Sequence, residues 1–291
     1  MLTRPVKSAW QHVRYLPLWS ALVYSRGRAF ERRSRALGKV VGWTMRWFPP
    51  ARRRFDRELL RIFPDMARDA RMTLCRDMGR NMGQTLFEIY HGAEFATRLS
   101  RFSVSGPGLD ALDAARAAGK GAIIVSGHFG QWEAVRAVLR ARGMETGAVY
   151  RPQTNRHYQR RLLAGIEAGG RPIVATGFGG TKEMVGHLRV GGVIAILLDE
   201  KYADGQRLPF LGLDALTSVS AAQLALKYDL PMVPAYGTRS ADGSSFTVEF
   251  EGPIAHSDPT TMTRAFNDSL SARILQRPDQ WYWMLRRWQG A

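Results

Sequence analysis

Short apolar runs alternate with amphipathic stretches along most of the chain from residue 102 onward. The apolar runs predict strands, and the stretches with apolar residues at helical spacing predict helices. The predicted strands cover residues 102–105, 121–126, 146–150, 172–175, 193–198, 232–236 and 246–250. The predicted helices cover residues 109–118, 131–142, 155–167, 181–188, 217–228, 261–276 and 279–287. This alternation indicates an α/β fold, in which a mostly parallel central sheet is covered by helices.

The chain before residue 102 is predicted to be helical. Two basic helical segments fill residues 1–50, and the second is expected to stop at Pro49-Pro50 because proline cannot continue a helix. A short basic helix is predicted over 52–63, followed by a long helix that ends near residue 95. We therefore divide the chain into a basic amphipathic segment, residues 1–50, and a larger domain, residues 51–291.

The net charge of +17 lies mostly in the first part of the chain, since residues 1–80 contain 19 Lys and Arg but only 6 Asp and Glu. A basic surface attracts anionic partners such as phospholipid headgroups, phosphorylated glycolipids, acidic proteins or nucleic acids. Tryptophan and tyrosine mixed with arginine over residues 8–48 favour helices that lie on an anionic membrane surface. The alternative is a pair of helices packed on their own domain. We find no apolar run of the roughly 20 residues that a spanning helix needs, and no signal peptide.

Candidate chemistry begins just after the strand predicted at 121–126. His128 is followed five positions later by Glu133, which is expected in the first turn of the next helix. A neutral imidazole can accept a proton from a hydroxyl group, and a carboxylate behind it fixes the tautomer. His128 and Glu133 are therefore a candidate general base and its partner. The alternative is a loop histidine bonded to backbone, with a glutamate that the helix dipole favours.

Two other polar residues also follow predicted strands. Arg151 has a fixed charge suited to phosphate or carboxylate, whereas Asp199 could pair with Arg151, hold a substrate hydroxyl or cap a loop. Because ligand sites in such sheets lie beyond the carboxyl ends of the strands, we expect both residues to share a cleft with His128. No metal site is expected, since the six histidines are scattered and Cys75 is the single cysteine.

Several motifs resemble one known family. The segment GHFGQWE around His128 is similar to the HxxxxE motif of the lysophospholipid acyltransferase superfamily, and in particular to the lauroyl/myristoyl acyltransferases of lipid A biosynthesis. Further motifs of that family occur in the same order along residues 30–290. They are Arg52–Pro64, Tyr150-Arg151-Pro152 with Asn155, Gly191-Gly192 with Asp199, Pro209–Gly212 with Thr217, and Pro278–Trp281 with Arg286-Arg287-Trp288. The chain departs from the family at Glu200, at Leu285 and in the first of these segments.

The resemblance implies a fold like that of the glycerolipid acyltransferases and a transfer of a fatty acyl chain. The donor would be an acyl thioester, on acyl carrier protein or coenzyme A, and the acceptor a hydroxyl of a lipid A precursor; no cofactor is implied. His128 would be the base and Glu133 its partner. Substrate would be bound by Arg151, Asp199, Gly130, Gln131 and Trp132. The location implied is the cytoplasmic face of the bacterial inner membrane, as a peripheral or monotopic protein.

Besides a hydrolase or an inactive relative that keeps the fold and only binds lipid, two alternatives stay open. The arginine-rich first 80 residues would suit a nucleic-acid-binding protein, but the sequence has no helix-turn-helix, RNA-binding strand motif or zinc finger, so we expect no nucleic acid partner. The second alternative is an acyltransferase of the same superfamily whose acceptor is a different glycolipid, such as a phosphatidylinositol mannoside.

Overall fold

A computed structural model describes residues 27–290 of the chain. Nine strands are present in this part, and seven of them form the central sheet. In chain order the strands are β1 (Phe102–Ser105), β2 (Ala122–Ser126), β3 (Thr146–Tyr150), β4 (Ile173–Ala175), β5 (Val193–Leu197), β6 (Gln206–Phe210), β7 (Leu213–Thr217), β8 (Met232–Arg239) and β9 (Phe246–Phe250). The order across the sheet is β1-β9-β8-β2-β5-β3-β4. All neighbours are parallel except β8 and β9, so the predicted fold class is confirmed.

Ten α-helices cover the sheet in the described residues. They are α1 (Phe30–Trp47), α2 (Pro49–Ile62), α3 (Arg68–Tyr90), α4 (Gly92–Phe95), α5 (Gly108–Ala117), α6 (Glu133–Ala141), α7 (Arg156–Glu167), α8 (Phe178–Arg189), α9 (Ser220–Tyr228) and α10 (Pro259–Gln276). Helix α1 ends at Trp47, just before Pro49-Pro50 as expected, and the two prolines also start α2, which was not predicted. The first turn of a helix does not use the missing N–H, and proline has the φ angle that a helix needs. The predicted domain boundary at residue 50 thus falls inside α2, and residues 1–26 lie outside the described part.

Two further predictions differ from the structure. The antiparallel hairpin of β6 and β7 was missed, because Pro209 argues against a strand and the two runs are short. The hairpin turns at Leu211 and Gly212, which both have positive φ. The helix expected over 279–287 is wrong, since only the 3₁₀ turn Pro278–Gln280 forms there. Trp281 instead makes a backbone bridge to Phe129 beside β2, which holds this residue extended, and turns follow it.

Helices α1 and α3 approach each other through glycine. Gly38 and Gly42 of α1 face Gly79 and Gly83 of α3. A Cβ atom on Gly83 would come within 3.0 Å of the Gly38 Cα, and one on Gly42 would come within 2.6 Å of the Arg76 carbonyl oxygen. Side chains larger than hydrogen at these positions would push the two backbones apart. The buried face of α1 is therefore made largely of small residues.

The two faces of the central sheet have different coverings. One face packs against residues of α2, α8, α9 and α10 in the largest apolar core. On the other face, α5 and α6 pack near β2 and β9, while Ile89 of α3 and Ile166 of α7 pack near Ala148 of β3. The second face matters for function because a cavity lies there, between the strands and helices α3 and α7.

Candidate active site

His128 lies in a loop directly after the fully buried strand β2. Asp199 follows β5, which pairs with β2 so that Ser126 lies opposite Leu197. Two chain segments 71 residues apart therefore end side by side at one edge of the sheet. Arg151, which follows β3, lies at the same edge and lines the same cavity as His128. The structure thus brings together the three residues that the strand pattern placed in one cleft.

One carboxylate holds both the ring and the backbone of His128. The Nδ1 atom of His128 lies 2.8 Å from Oδ1 of Asp199, and the His128 backbone N–H donates to Oδ2 over 2.7 Å. The Trp281 indole N–H also donates to Oδ2, over 2.8 Å. Because an ionised carboxylate only accepts hydrogen bonds, Nδ1 carries the proton, and Nε2 keeps its lone pair. Within residues 27–290 no side chain forms a hydrogen bond with Nε2, so its lone pair can accept a proton from a substrate.

A glycine makes this contact possible. A Cβ atom on Gly127 would lie 3.0 Å from the Asp199 carboxylate and 2.6 Å from a methyl group of Leu270. Asp199 is completely buried, whereas the His128 side chain remains 20% exposed. Trp132 packs its ring edge-on to the imidazole, with 5.2 Å between the centroids. Asp199 and Trp132 therefore fix the position of the imidazole, and part of the ring stays exposed.

Burial and Asp199 act in opposite directions on the pKa of His128. Burial alone lowers the pKa, but the charge and hydrogen bond of Asp199 outweigh it and raise the pKa above its usual value near 6.5. For Asp199, burial raises the pKa, while the His128 charge and the three hydrogen bonds that it accepts hold the pKa below its ordinary range. The pair thus favours a charged aspartate and a histidine that is a better base than in water.

Glu133 does not hold His128, contrary to our expectation. It begins α6, and its Oε2 accepts a hydrogen bond from Arg136 Nη1 over 2.6 Å. In the part of the chain that the structure describes, no hydrogen bond joins Glu133 to the imidazole. The buried guanidinium of Arg136 also donates to the backbone carbonyls of Thr146, Ile166 and Gly170. A buried arginine needs a carboxylate beside it, and one helical turn brings Glu133 there.

Burial raises the pKa of Glu133, and Arg136 acts against that effect through its charge and hydrogen bond. The pair ties the start of α6 to β3 and to the end of α7. Both residues also line the cavity, and Arg136 bonds Thr146 at the start of β3, whereas Arg151 follows the end of that strand. Glu133 therefore belongs to the wall of the site.

Gly130 and Gln131, predicted to bind substrate, are engaged by the protein itself. The Gly130 N–H donates to the Gln280 carbonyl and the Gln131 N–H to the Gly237 carbonyl, over 2.9 and 2.7 Å. The Gln131 side chain is completely buried and donates to Glu88. These N–H groups cannot also bind a developing oxyanion. Of the five residues predicted to bind substrate, Trp132 and Arg151 line the cavity, and Asp199 reaches it through His128.

Arg151 pairs with Glu200 at the mouth of the cavity. Its guanidinium lies 2.7 Å from the Glu200 carboxylate, and both side chains are partly exposed. The sequence left open a pairing of Arg151 with Asp199, but Asp199 is taken by His128. The charge of Arg151 therefore stays at the surface, near the open side of the imidazole.

The cavity beside His128 encloses about 220 Å³ and is mostly apolar. On the sheet, its lining includes alternate residues of three strands, namely Ile124 and Ser126, Ala195 and Leu197, and Ala148 and Tyr150, together with Val149 and Ile196. The spacing of two places the alternate residues on one face. Leu86, Ile89, Leu162 and Ile166 close it from the helices α3 and α7. Ala148 and Ala195 are direct neighbours across β3 and β5, and their small side chains leave the space open.

The role of Trp281 was not predicted, because this residue was expected in a helix over 279–287. The indole donor next to Asp199 comes from a segment 82 positions further along the chain. The signal available was the PDQW motif, whose polar residues have no place in a simple amphipathic helix. Gln280 supports the same loop, since its backbone carbonyl accepts from Gly130 and its side chain bonds to Arg239.

Comparison with known proteins connects this geometry to a family. The family model described as bacterial lipid A biosynthesis acyltransferase matches residues 8–290. A lipid A biosynthesis acyltransferase of Haemophilus influenzae is 22% identical over 289 residues, which cover 96% of this chain and 90% of that protein. A phosphatidylinositol mannoside acyltransferase of Mycobacterium tuberculosis is 26% identical over 192 residues, or 62% of this chain and 58% of that protein.

Within residues 27–290, no helix combines the length and the apolar character that crossing a bilayer requires.

Proposed function

The chain belongs to the bacterial lipid A biosynthesis acyltransferase family, and on this premise we propose that it transfers a fatty acyl chain from an acyl thioester to a hydroxyl of a lipid A precursor. The observation that carries the proposal is the His128–Asp199 pair, which opens onto an apolar cavity of about 220 Å³. A base next to space for a hydrocarbon chain is what acyl transfer to an alcohol needs. The similar proteins include acyltransferases named for two different glycolipids, lipid A and phosphatidylinositol mannoside, and this supports a glycolipid acceptor.

The proposed reaction is direct. The acceptor hydroxyl gives its proton to Nε2 of His128 while its oxygen attacks the thioester carbonyl carbon. The C–S bond then breaks, the acyl group stays on the acceptor oxygen, and the leaving thiolate takes the proton from the imidazolium. Asp199 keeps the ring in the tautomer that leaves Nε2 open, and its negative charge stabilises the imidazolium.

Arg151 is the proposed partner for the charge that develops on the carbonyl oxygen. The other predicted donors were the backbone N–H groups of Gly130 and Gln131, and these already donate to backbone carbonyls. Arg151 is the predicted donor that remains. An acyl-enzyme on the single thiol has no support. Cys75 is completely buried, and burial, with Asp56 nearby, raises the pKa of its thiol to about 12.

The cavity is proposed to hold the acyl chain of the donor. Its lining is apolar from the imidazole inwards to the wall at Glu133 and Arg136, so a chain whose thioester lies beside His128 would extend along the sheet over Ala195 and Ala148. The depth of that space then sets the longest chain that fits. A phosphorylated acceptor would lie outside, where Arg151 is exposed.

We further propose that the donor is acyl carrier protein, with coenzyme A as the alternative, and that the reaction takes place on the cytoplasmic face of the inner membrane. Carrier protein, anionic membrane and lipid A precursor are all acidic, which accords with the net charge of +17. The phosphatidylinositol mannoside relative keeps a different glycolipid acceptor as the second candidate. A nucleic acid role finds no support in the fold.

The test is transfer measured by mass spectrometry with the full chain, an acyl carrier protein thioester and a purified lipid A precursor. We expect the product to gain one acyl chain, and His128→Ala to lower the rate by about 10²–10⁴. His256→Ala is the matched control, because His256 lies away from the cavity and bonds a backbone carbonyl. Normal turnover by a folded His128→Ala enzyme would refute the proposed base. Transfer only to a phosphatidylinositol mannoside would redirect the acceptor.

A further inference from the structure

Helix α1 presents its large apolar residues outwards. Nine large hydrophobic residues are well exposed in residues 27–290, and four of them lie together at α1 and just after it. These are Val40, Trp43, Trp47 and Phe48, which are between 55% and 65% exposed. The opposite face of the helix packs on α3 through Gly38 and Gly42. An amphipathic helix that buries glycine against its own domain and exposes tryptophan is expected to contact a further apolar partner, such as a protein or a membrane, through the exposed face.

Cations surround this apolar stripe. Lys39, Trp43, Arg46 and Trp47 of α1 line a shallow groove together with Arg76 and Arg80 of α3. Asp77 pairs with both arginines of α3 and so offsets part of their charge. Lys39 and Arg46 have no ion-pair partner within the described residues, and Arg46 lies over the Trp47 ring. Positive side chains next to exposed indoles suit the phosphate layer and the acyl boundary of a membrane.

From these observations we infer that the outer face of α1 is the surface that docks on anionic phospholipid. This face consists of Lys39, Val40, Trp43, Arg46, Trp47 and Phe48, together with Arg76 and Arg80 of α3. This inference rests on the proposed membrane location and specifies which surface makes the contact. A second copy of the chain is a poor occupant, because two such faces would bring their cations together. An anionic membrane instead complements the charge and accepts the indole rings.

The same surface is rigidly joined to the proposed active site. Arg76 and Arg80 stand near the middle of α3, and Ile89 near its end lines the cavity. Nine residues of helix separate Arg80 from Ile89, which corresponds to about 14 Å along the axis. A membrane bound at α1 would therefore lie close to the cavity that receives lipid substrates.

The experiment measures sedimentation of the full chain with sucrose-loaded vesicles at about 0.15 M salt. Vesicles contain equal parts phosphatidylglycerol and phosphatidylcholine, or phosphatidylcholine alone. We expect binding to the anionic vesicles, and Trp43→Ser/Trp47→Ser should weaken it at least about tenfold. Lys39→Gln/Arg46→Gln should weaken it by about tenfold to thirtyfold.

Matched controls change equally exposed residues elsewhere. Val190→Ser/Leu275→Ser removes apolar surface, and Arg189→Gln/Arg264→Gln removes two charges, so both should bind like the unchanged chain. Equal losses in the controls would overturn the inference, as would unchanged binding of the α1 variants or preference for duplex DNA. A dimer of the unchanged chain that Trp43→Ser/Trp47→Ser dissolves would also overturn it.

Acyl transfer in detergent micelles separates this inference from the proposed function. In micelles the α1 variants should keep their rate of acyl transfer, since the enzyme does not need to bind a membrane to reach its substrates. If the unchanged chain binds vesicles through α1 but transfers no acyl group, the proposed function fails and the docking surface stands. If it transfers acyl groups but does not bind anionic vesicles, the docking surface fails alone.

Discussion

Asp199 and Glu133 are buried carboxylates at one site, and each accepts a short hydrogen bond from a nitrogen donor. The donor at Asp199 is an imidazole, which can gain and lose a proton near neutral pH. The donor at Glu133 is a guanidinium, which stays charged and also donates to three backbone carbonyls. The same kind of contact therefore supports proton transfer at Asp199, whereas at Glu133 it stabilises the residues that line the cavity.

The partner of each carboxylate decides what that carboxylate does. Asp199 is reached from β5 across a pair of parallel strands, so its position is fixed by the sheet. Glu133 belongs to the helix that follows the catalytic loop, and its side chain turns along that helix towards Arg136. Proximity in sequence to His128 does not give it the role of the orienting acid.

The largest effect that separates the two carboxylates is expected from Asp199→Asn. The amide cannot stabilise an imidazolium, so kcat should fall at least about a hundredfold. Because Asp199 raises the pKa of His128, its loss should also lower that pKa. The imidazole must be neutral to accept a proton, so the acid limb of kcat/KM should move to lower pH. A pH–rate profile of purified enzyme measures both changes.

In the His128→Ala background, Asp199→Asn should add almost no further loss of kcat, since the two residues act as a unit. Full additivity of the two losses, or an unchanged acid limb, would show that Asp199 does not work through His128.

A second test concerns stability. Glu133→Gln leaves the buried Arg136 without its counter-charge, so the free energy of unfolding should fall by roughly 3 kcal/mol. The kcat of the folded enzyme should stay within about tenfold, because the imidazole is not touched. Urea unfolding and the transfer assay measure the two quantities. A loss of kcat as large as that of Asp199→Asn, with the same shift of the pH profile, would restore Glu133 as the orienting acid.

The smallest effect concerns the space between the two carboxylates. Ala195→Leu adds three carbon atoms over the floor of the cavity, so long acyl chains should lose about 10-fold or more in kcat/KM. Donors whose acyl chains are about three carbons shorter should keep their kcat/KM. Competition between thioesters of different length measures this shift. Ile173→Leu is the control, because it keeps the volume and lies in the same row of the sheet beyond Ala148. An unchanged preference for length would place the acyl chain elsewhere.

Much of the fold could be predicted because strands and helices alternate regularly after residue 102. Each of the seven predicted strands is present, with bounds within a few residues of the observed ones. The hairpin at Pro209 and the extended segment at Trp281 could not be predicted, since each is held by contacts with distant parts of the chain. Local pattern indicates elements but not these long-range partners.

The candidate site was predicted in part for the same reason. That His128, Arg151 and Asp199 follow strands is visible in the sequence, and parallel strands bring their ends to one edge. Which strand lies next to β2 is not visible, and this neighbour decides that Asp199, rather than Glu133, meets the imidazole. The motif shared with the family points to Glu133, but a motif gives spacing and not the direction of a side chain.

The indole of Trp281 has a consequence for shortened forms of this protein. The carboxylate behind the imidazole receives one of its three hydrogen bonds from a residue that the ribosome adds 82 positions after Asp199. All strands of the central sheet precede Trp281 in the chain. A chain shortened before Trp281 should therefore keep the residues of its strands but lose one of the three donors that hold the carboxylate behind the imidazole.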